Sequence, residues 1–354
     1  MQDGINMLPG VAGYPRNQWY VAGFSREITR EFTTRDILGM PVLLYRKEDG
    51  SPVALFDRCP HRGMPFSKGK LLGDVVQCGY HGMEFGVDGK CSHIPSGGKT
   101  PAAMCVSSYP VVEKWEWVWI WMGAPALADP ALIPDHEELG ITREGWFSEP
   151  GIHLHVAANY LLPFENLVDA THITYLHHGL IDTGNVAAHP YELRAEGDRV
   201  GTIRVFKNEP LPAMLTKTLG LPPEARVDRC LELWAHAPNL ALIRISLQSV
   251  DKQDMKMENH LIVALTPDGI KGTHQFAVMA ANFPNPHPGR FDDLRNLLME
   301  DVVVIEEIQQ LFDHLGEENA PEVSVRSDDI AIRIRRNIAA MIRREISSRA
   351  EVAA

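Results

Sequence analysis

The chain has 354 residues, 45% of them hydrophobic, which is enough to bury two cores, and the prior from length is two domains. Its 34 Lys and Arg stand against 46 Asp and Glu, and the formal charge of −12 argues against a nucleic-acid partner or an acidic membrane surface. No apolar run reaches spanning length, residues 1–30 lack the pattern of a signal peptide, and five cysteines follow no disulfide-scaffold spacing. A cytoplasmic globular protein with reduced thiols, serving small molecules or protein partners, is therefore expected.

After an irregular start, residues 18–22 offer a first strand. Runs 41–46 and 52–57 are β-like and are joined by Glu48-Asp49-Gly50, a hairpin signal. The second run leads into Cys59-Pro60-His61. A strand at 75–78, a turn at Gly79-Tyr80-His81 and a strand at 83–85, closed by Asp88-Gly89, carry a second Cys and His to a second loop tip. The pattern is Cys59-x-His61, sixteen residues, then Cys78-x2-His81. Two thiolates and two imidazoles can bind zinc. Zinc fingers, however, usually keep Cys with Cys and His with His, whereas each tip here carries one of each. That mixed order suits a [2Fe–2S] cluster with two Cys on one iron and two His on the other. With Pro60, Arg62-Gly63 and Gly79-Tyr80-His81-Gly82 around it, the motif resembles the Rieske proteins. It departs from many of them at Met83, where Trp is common. Cys91, Cys105 and Cys230 are left over as inert thiols.

Trp115, Trp117, Trp119 and Trp121 alternate at period two, so all four indoles are expected on one face of a strand, in a packing role. Gly123 through Pro134 reads as a link, placing the cluster domain at 1–124 and a second domain at 125–354. In that second part, β-like runs near 189–207, 229–249, 256–266 and 272–283 predict a large antiparallel sheet. Helices are predicted over 288–316 and 327–349, the latter with Arg333, Arg335, Arg336, Arg343 and Arg344 on a solvated or subunit-facing side. The fold class is α+β: a small all-β domain, then a large antiparallel sheet flanked by helices.

The segment 159–179 puts Asp169, His172 and His177 within nine residues of apolar surroundings. Leu161, Leu162, Phe164, Leu167, Val168, Ile173 and Leu176 recur at helical spacing, which sets Asp169 and His172 on one helix face. His177 turns back only if the helix loosens, and Gly179 gives it a reason to stop. Two imidazoles and a carboxylate make the facial triad of non-haem Fe(II); two core histidines beside a paired Asp is the other reading. In the 288–316 helix the apolar stripe runs Leu294, Leu297 or Leu298, then Val304 or Ile305, Ile308, Leu311 or Phe312, and Leu315. Position 301 completes it, and it is Asp. A carboxylate on a buried face must be paired or bind a metal, so Asp301 is the third ligand candidate. Glu300, Glu306 and Glu307 read as edge or surface acids.

A cluster motif followed by a mononuclear iron motif resembles the Rieske non-haem iron oxygenases over nearly the whole chain. Asn166-x2-Asp169-x2-His172-x4-His177 matches their iron-site motif, and Glu300-Asp301-x4-Glu306 the helix bearing the carboxylate. Chain length and the Glu165-Asn166-Leu167-x-Asp169 stretch look most like the O-demethylating vanillate and dicamba monooxygenase branch. The resemblance implies a homotrimer in which one subunit's cluster serves its neighbour's Fe(2+), with O2 as co-substrate. It implies that Cys59, His61, Cys78 and His81 hold the cluster, and that Asp169 bridges a ligand histidine, His172, to His81 of the adjacent subunit, with Asn166 close to the iron. Hydroxylating a methoxy carbon of a small aromatic acid would give a hemiacetal that sheds formaldehyde. Electrons would come from a ferredoxin and/or an NAD(P)H-dependent reductase, since the chain has no dinucleotide fingerprint. Methyl or ring hydroxylation is the alternative within the family, and an electron carrier without oxygenase activity the alternative outside it. Strand residues around Ile262 and from 274 to 282 are expected to line the pocket. His260 and His274 can bind a substrate carboxylate but read equally as half-buried strand residues.

Overall fold

A computed structural model describes residues 13–353, apart from 149–150, 184–185, 220, 223, 252–255, 285–286, 288, 317–318 and 320. The start of the chain and position 288 of the expected helix fall outside these residues. The chain divides into two compact units, Pro15–Ile133 with Thr266–Gly269, and Pro134–Leu265 with Ile270–Ala354.

The first unit is all β. Trp19–Phe24 pairs with Trp117–Trp121, which pairs in turn with Val111–Lys114. A second sheet runs Thr33–Ile37, Met40–Arg46, Pro52–Phe56, Ser108–Tyr109; a third runs Lys70–Leu72, Val75–Gln77, Glu84–Phe85, Cys91–His93. Leu43, Tyr45, Leu55, Phe66, Val76 and Phe85 form a buried core directly behind Cys59 and Cys78. Trp117, Trp119 and Trp121 lie on the expected strand and are buried. Trp115 does not: it occupies the preceding hairpin turn with φ 64. Its ring still packs against Trp117 and Trp119, at 6.0 and 5.7 Å between centroids.

In the second unit an eight-stranded antiparallel sheet has the order Phe147–Ser148, Gly272–Ala281, Lys256–Gly269, Leu240–Ser249, Arg226–His236, Arg199–Pro210, Glu192–Glu196, and Ile152–Val156 also pairs with Gly272–Ala281. The single run expected at 229–249 is two strands. Pro238 has no N–H to give a ladder, so the chain turns there. Among the described residues five α-helices complete the unit: α1 (His136–Leu139), α2 (Leu161–Val168), α3 (Ala213–Leu219), α4 (Arg290–Leu315) and α5 (Asp329–Ala353).

Helix α2 is short because both ends are fixed by side chains. Asn159 Oδ1 accepts from the Leu161 amide at 3.1 Å, and Pro163 sits in the first turn, where its missing N–H costs nothing. At the other end Asp169 is extended, with φ −98 and ψ 116, and its carboxylate takes the amide and hydroxyl of Thr171 at 2.8 and 2.6 Å. An Asp that finds backbone and hydroxyl donors two residues on competes with the helix and stops it. Asp169 and His172 therefore do not share a helix face; His172 begins a separate 3-10 turn, His172–Thr174, and the helix ends eleven residues before Gly179. Leu161, Leu162, Phe164, Leu167 and Val168 are buried, each contributing about 2 kcal/mol.

On α4 the buried stripe is Leu294, Leu297, Leu298, Asp301, Val302, Ile305 and Gln309. Its expected continuation is not buried: Ile308, Leu311 and Leu315 are 38, 54 and 40% exposed. On α5, Arg333, Arg336, Arg343 and Arg344 are exposed, but Arg335 is not part of that solvated face. It forks onto both oxygens of Glu165 of α2 at 2.5 and 2.6 Å and also reaches Glu322 at 2.6 Å. Burial pushes the Glu165 carboxyl up, and Arg335 draws it back only in part. Arg335→Ala strands this acid and is expected to cost about 3 kcal/mol, read from urea denaturation, with the Glu165→Gln/Arg335→Met double variant recovering most of it. A loss in the single variant under about 1 kcal/mol would show that water replaces the guanidinium freely.

Candidate metal centres

The first candidate centre is built by two loops with the same hydrogen-bond pattern. The amide of Cys59 donates to Met64 O at 2.8 Å and that of Gly63 to Cys59 O at 2.9 Å; the amide of Cys78 donates to Met83 O at 2.8 Å and that of Gly82 to Cys78 O at 3.0 Å. Each loop closes through a glycine in the left-handed region, φ 78 at Gly63 and φ 69 at Gly82, which explains the Gly at that place in each tip. The thiols of Cys59 and Cys78 are 2% exposed, whereas His61 and His81 are exposed, with their Nδ1 atoms 3.2 Å apart. Burial pushes the Cys59 thiol up, the Cys78 thiol adding to this. A thiolate in that place needs a cation against it. Two imidazoles that turn the same nitrogen to one point need an electron-pair acceptor there. The donor set thus fits a two-iron cluster with sulfur ligands inside and nitrogen ligands at the surface. Tyr80, 62% exposed, lies 3.7 Å from the His81 ring. Burial likewise raises Cys91 and Cys230, in keeping with unreactive thiols.

In the second unit, His172, His177 and Asp301 place one ligand atom each within 4.8 Å of one another. Asp301 Oδ1 is 3.1 Å from His177 Nε2 and 3.5 Å from His172 Nε2, and the two rings meet at 78°. His177 and Asp301 are buried. Behind them, His177 Nδ1 faces Glu300 Oε2 at 2.7 Å, and Asn166 Nδ2 donates to Asp301 Oδ1 at 3.2 Å. With Nδ1–H donated to Glu300, the Nε2 lone pair of His177 is free for a metal. Burial lowers the pKa of His172, with Asp301 opposing and His177 assisting. Burial acts the same way on His177, but Asp301 and Glu300 outweigh it and the net shift is upward. Two nitrogens and an anionic oxygen on one side of a point fit ferrous iron with positions left open.

Glu300, expected to be an ordinary surface acid, instead holds a ring of the centre, and Glu306, expected likewise, accepts the Ala157 amide at 2.8 Å. Neighbouring positions on a helix differ by about 100°, so the stripe that exposes Asp301 as anomalous leaves Glu300 looking peripheral. Asp169 lies beside the centre with both oxygens on Thr171, and its charge and its backbone both act on the buried His172 ring. A cavity of about 350 Å³, lined by Leu162, Asn166, Asp169, His172, Ile305 and Arg335 among others, reaches this edge. His260 is fully buried, its nitrogens facing Leu139 O and Glu258 Oε1 at 2.7 Å each, so it is a satisfied core histidine. His274 faces His153 Nε2 at 3.1 Å, on a strand the sequence pattern did not reveal.

This fold and these two centres define a Rieske non-haem iron oxygenase, with a [2Fe–2S] cluster and a mononuclear iron. Residues 18–110 match the Rieske [2Fe-2S] domain, and residues 156–344 match the vanillate O-demethylase oxygenase C-terminal domain. The chain belongs to that vanillate O-demethylase oxygenase family and is a terminal monooxygenase component. It is 32% identical, over 92% of its length and 97% of the relative's, to the oxygenase component of dicamba O-demethylase from Stenotrophomonas maltophilia. Across 49% of each chain it is 43% identical to the iron-sulfur subunit TsaM1 of the toluene-4-sulfonate monooxygenase system of Comamonas testosteroni. The crystal structure of dicamba monooxygenase bound to 3,6-dichlorosalicylic acid superposes with a TM-score of 0.86 at 30% identity, covering 95% of this chain and 99% of that one. No helix among the described residues is long and apolar enough to cross a membrane.

Cys78→Ala is expected to abolish the visible spectrum of the cluster and leave iron in the second unit; loss of a zinc ion instead would contradict the ligand set. Asp301→Ala should empty the mononuclear centre with the cluster intact. Glu300→Ala should weaken iron binding there by about 10- to 100-fold, measured by chelator competition. Unchanged affinity would make Glu300 incidental.

Proposed function

We propose that this oxygenase component removes a methyl group oxidatively from a small methoxy-aromatic acid. His172, His177 and Asp301 are taken to hold the Fe(II), and Cys59, His61, Cys78 and His81 the cluster. The observation that carries the reading is the His172, His177, Asp301 set with Glu300 and Asn166 behind it, in a chain that also has the cluster loops. When bound, the two groups supply electron storage and oxygen activation. The chain's own residues bind and orient. Glu300 fixes the His177 ring, Asn166 fixes the plane of Asp301, and helix α4 with the turns after α2 holds the three ligands to one side so that substrate can lie on the other. Hydroxylation of a methoxy carbon leaves a hemiacetal, which breaks to the phenol and formaldehyde.

Asp169 is proposed to bridge His172 to His81 of an adjacent subunit in a homotrimer, by accepting N–H bonds from both imidazoles. The bridge reading is supported by the buried His172 ring beside it, on which Asp169 acts through both its charge and its backbone. Electrons would arrive from a separate ferredoxin and/or NAD(P)H-dependent reductase, in the cytoplasm. The absence of a dinucleotide fingerprint from this sequence and the relative's description as one component support a separate donor. The domain border is placed at 124/125. Similarity to a toluene-4-sulfonate monooxygenase subunit supports methyl hydroxylation as a second reading.

A panel of methoxy- and methyl-substituted aromatic acids, supplied with a generic reductase and scored for oxygen uptake and formaldehyde, tests this. Formaldehyde equal to the oxygen consumed with a methoxy acid is the expected result. Oxygen uptake only with methyl acids, giving alcohols, would replace demethylation by methyl hydroxylation.

A further inference from the structure

Outside the two iron centres, three histidines meet on one face of the sheet. Strand Ile152–Val156 carries His153-x-His155, and side chains alternate along a strand, so both rings leave by the same side. In the antiparallel register with Gly272–Ala281, His155 lies directly opposite His274, and His153 opposite Phe276. Directly opposed residues bring their Cβ atoms to about 5 Å. The three rings therefore rise from neighbouring points of two strands. His153 Nε2 is 3.1 Å from His274 Nδ1, and the His155 ring lies 5.3 Å from that of His274. Phe276 stacks on His153 at 4.5 Å and 13°, which fixes that ring. His153 and His274 are half-buried, whereas His155 is exposed.

The 3.1 Å separation is one that ligand atoms take around a shared ion. His61 Nδ1 and His81 Nδ1 of the cluster loops stand 3.2 Å apart, and His177 Nε2 and Asp301 Oδ1 of the mononuclear centre 3.1 Å. A zinc ion about 2.0 to 2.1 Å from each of two nitrogens in a tetrahedron sets them about 3.3 Å apart. A hydrogen bond between two imidazoles has a similar length, but it makes no use of His155.

We propose that His153, His155 and His274 form a binding site for one divalent transition-metal ion of the zinc, nickel or copper class. His153 and His274 are preset as ligands, and the exposed His155 completes the set by rotating its side chain. Imidazole nitrogens suit these ions, and Fe(II) stands below nickel and copper in that order of affinity. The ion clips the two strands together just before Ala157 and Asn159, whose amides Glu306 and Gln309 hold, where the chain enters the iron-bearing segment. This site does not depend on the demethylation reading. The pattern His153-x-His155 is visible in the sequence, but His274 comes 121 positions after His153.

The test uses untagged holoenzyme with its cluster oxidised and its iron centre loaded. The protein is incubated with zinc chloride, freed of loose ion by gel filtration, and assayed for zinc and iron per chain. About one zinc per chain with iron unchanged is the expected result. His153→Gln, His155→Gln and His274→Gln should each weaken zinc binding by about 10- to 100-fold or more, the loss that even an outer partner of a metal ligand causes. Copper(II) added to the wild-type protein and read by electron paramagnetic resonance should show nitrogen couplings from three imidazoles, a readout that needs no variant to fold. Zinc taken up only as iron is lost, no zinc retained by the iron-loaded wild type, or copper coupled to fewer than three nitrogens would overturn the proposal. So would unweakened zinc binding in a His155→Gln or His274→Gln protein whose cluster spectrum shows it to be folded, since the ion would then lie on other groups.

Discussion

The second unit depends on one electrostatic constraint, a carboxylate on the buried face of α4. Asp301 sits in a stripe of Leu294, Leu298, Val302 and Ile305, where an uncompensated charge is costly. Its neighbours are the Nε2 atoms of two imidazoles and the amide of Asn166. The imidazoles alone offset only part of that cost, and a divalent cation held by the three would offset the rest. Helix α4 aligns the whole iron-bearing segment against itself. Glu306 takes the amide of Ala157, Gln309 that of Asn159 at 2.8 Å, Asp301 the side chain of Asn166, and Glu300 the ring of His177. Four polar groups of one helix thus fix a segment of some twenty residues in register, and the ligand triad is one part of that register.

The first unit solves a different problem. Its two loops repeat one hydrogen-bond scheme around Cys59 and Cys78, so that the sulfurs lie against a dry core and the imidazoles face outward. Buried sulfur resists solvent and oxidation, while exposed imidazole edges give electrons a short way in and out. The storage site is rigid and local, whereas the iron centre draws on α2, α4 and the Asp169–His177 turns. Metal loading of the two should accordingly be independent.

What could be read from the sequence follows from how local each determinant is. Cys59, His61, Cys78 and His81 lie on two short tips whose spacing and Gly punctuation are set within a few residues, and the hairpins around them carry their own turn signals. Asp301 was visible as one wrong residue in a helical stripe. The break after Val168 was not, because a helical pattern continues through Ile173 and Leu176 and only the Asp169–Thr171 bonds override it. Glu300 and Arg335 look like surface charges when read along the chain. Their roles come from partners 123 and 170 positions away, respectively. Strand Ile152–Val156 was missed because its polar His153 and His155 face a partner, His274, more than a hundred residues on.

An oxygenase of this kind requires one chain to hold two separate iron centres. Iron and acid-labile sulfide should be quantified per chain in protein reconstituted anaerobically with excess Fe(II), and the reduced sample treated with nitric oxide for electron paramagnetic resonance. The predicted result is about three irons and two sulfides per chain, with a half-integer-spin nitrosyl signal from the mononuclear site beside that of the reduced cluster. About two irons, two sulfides and no nitrosyl signal would contradict it, leaving an electron carrier whose second unit binds no metal.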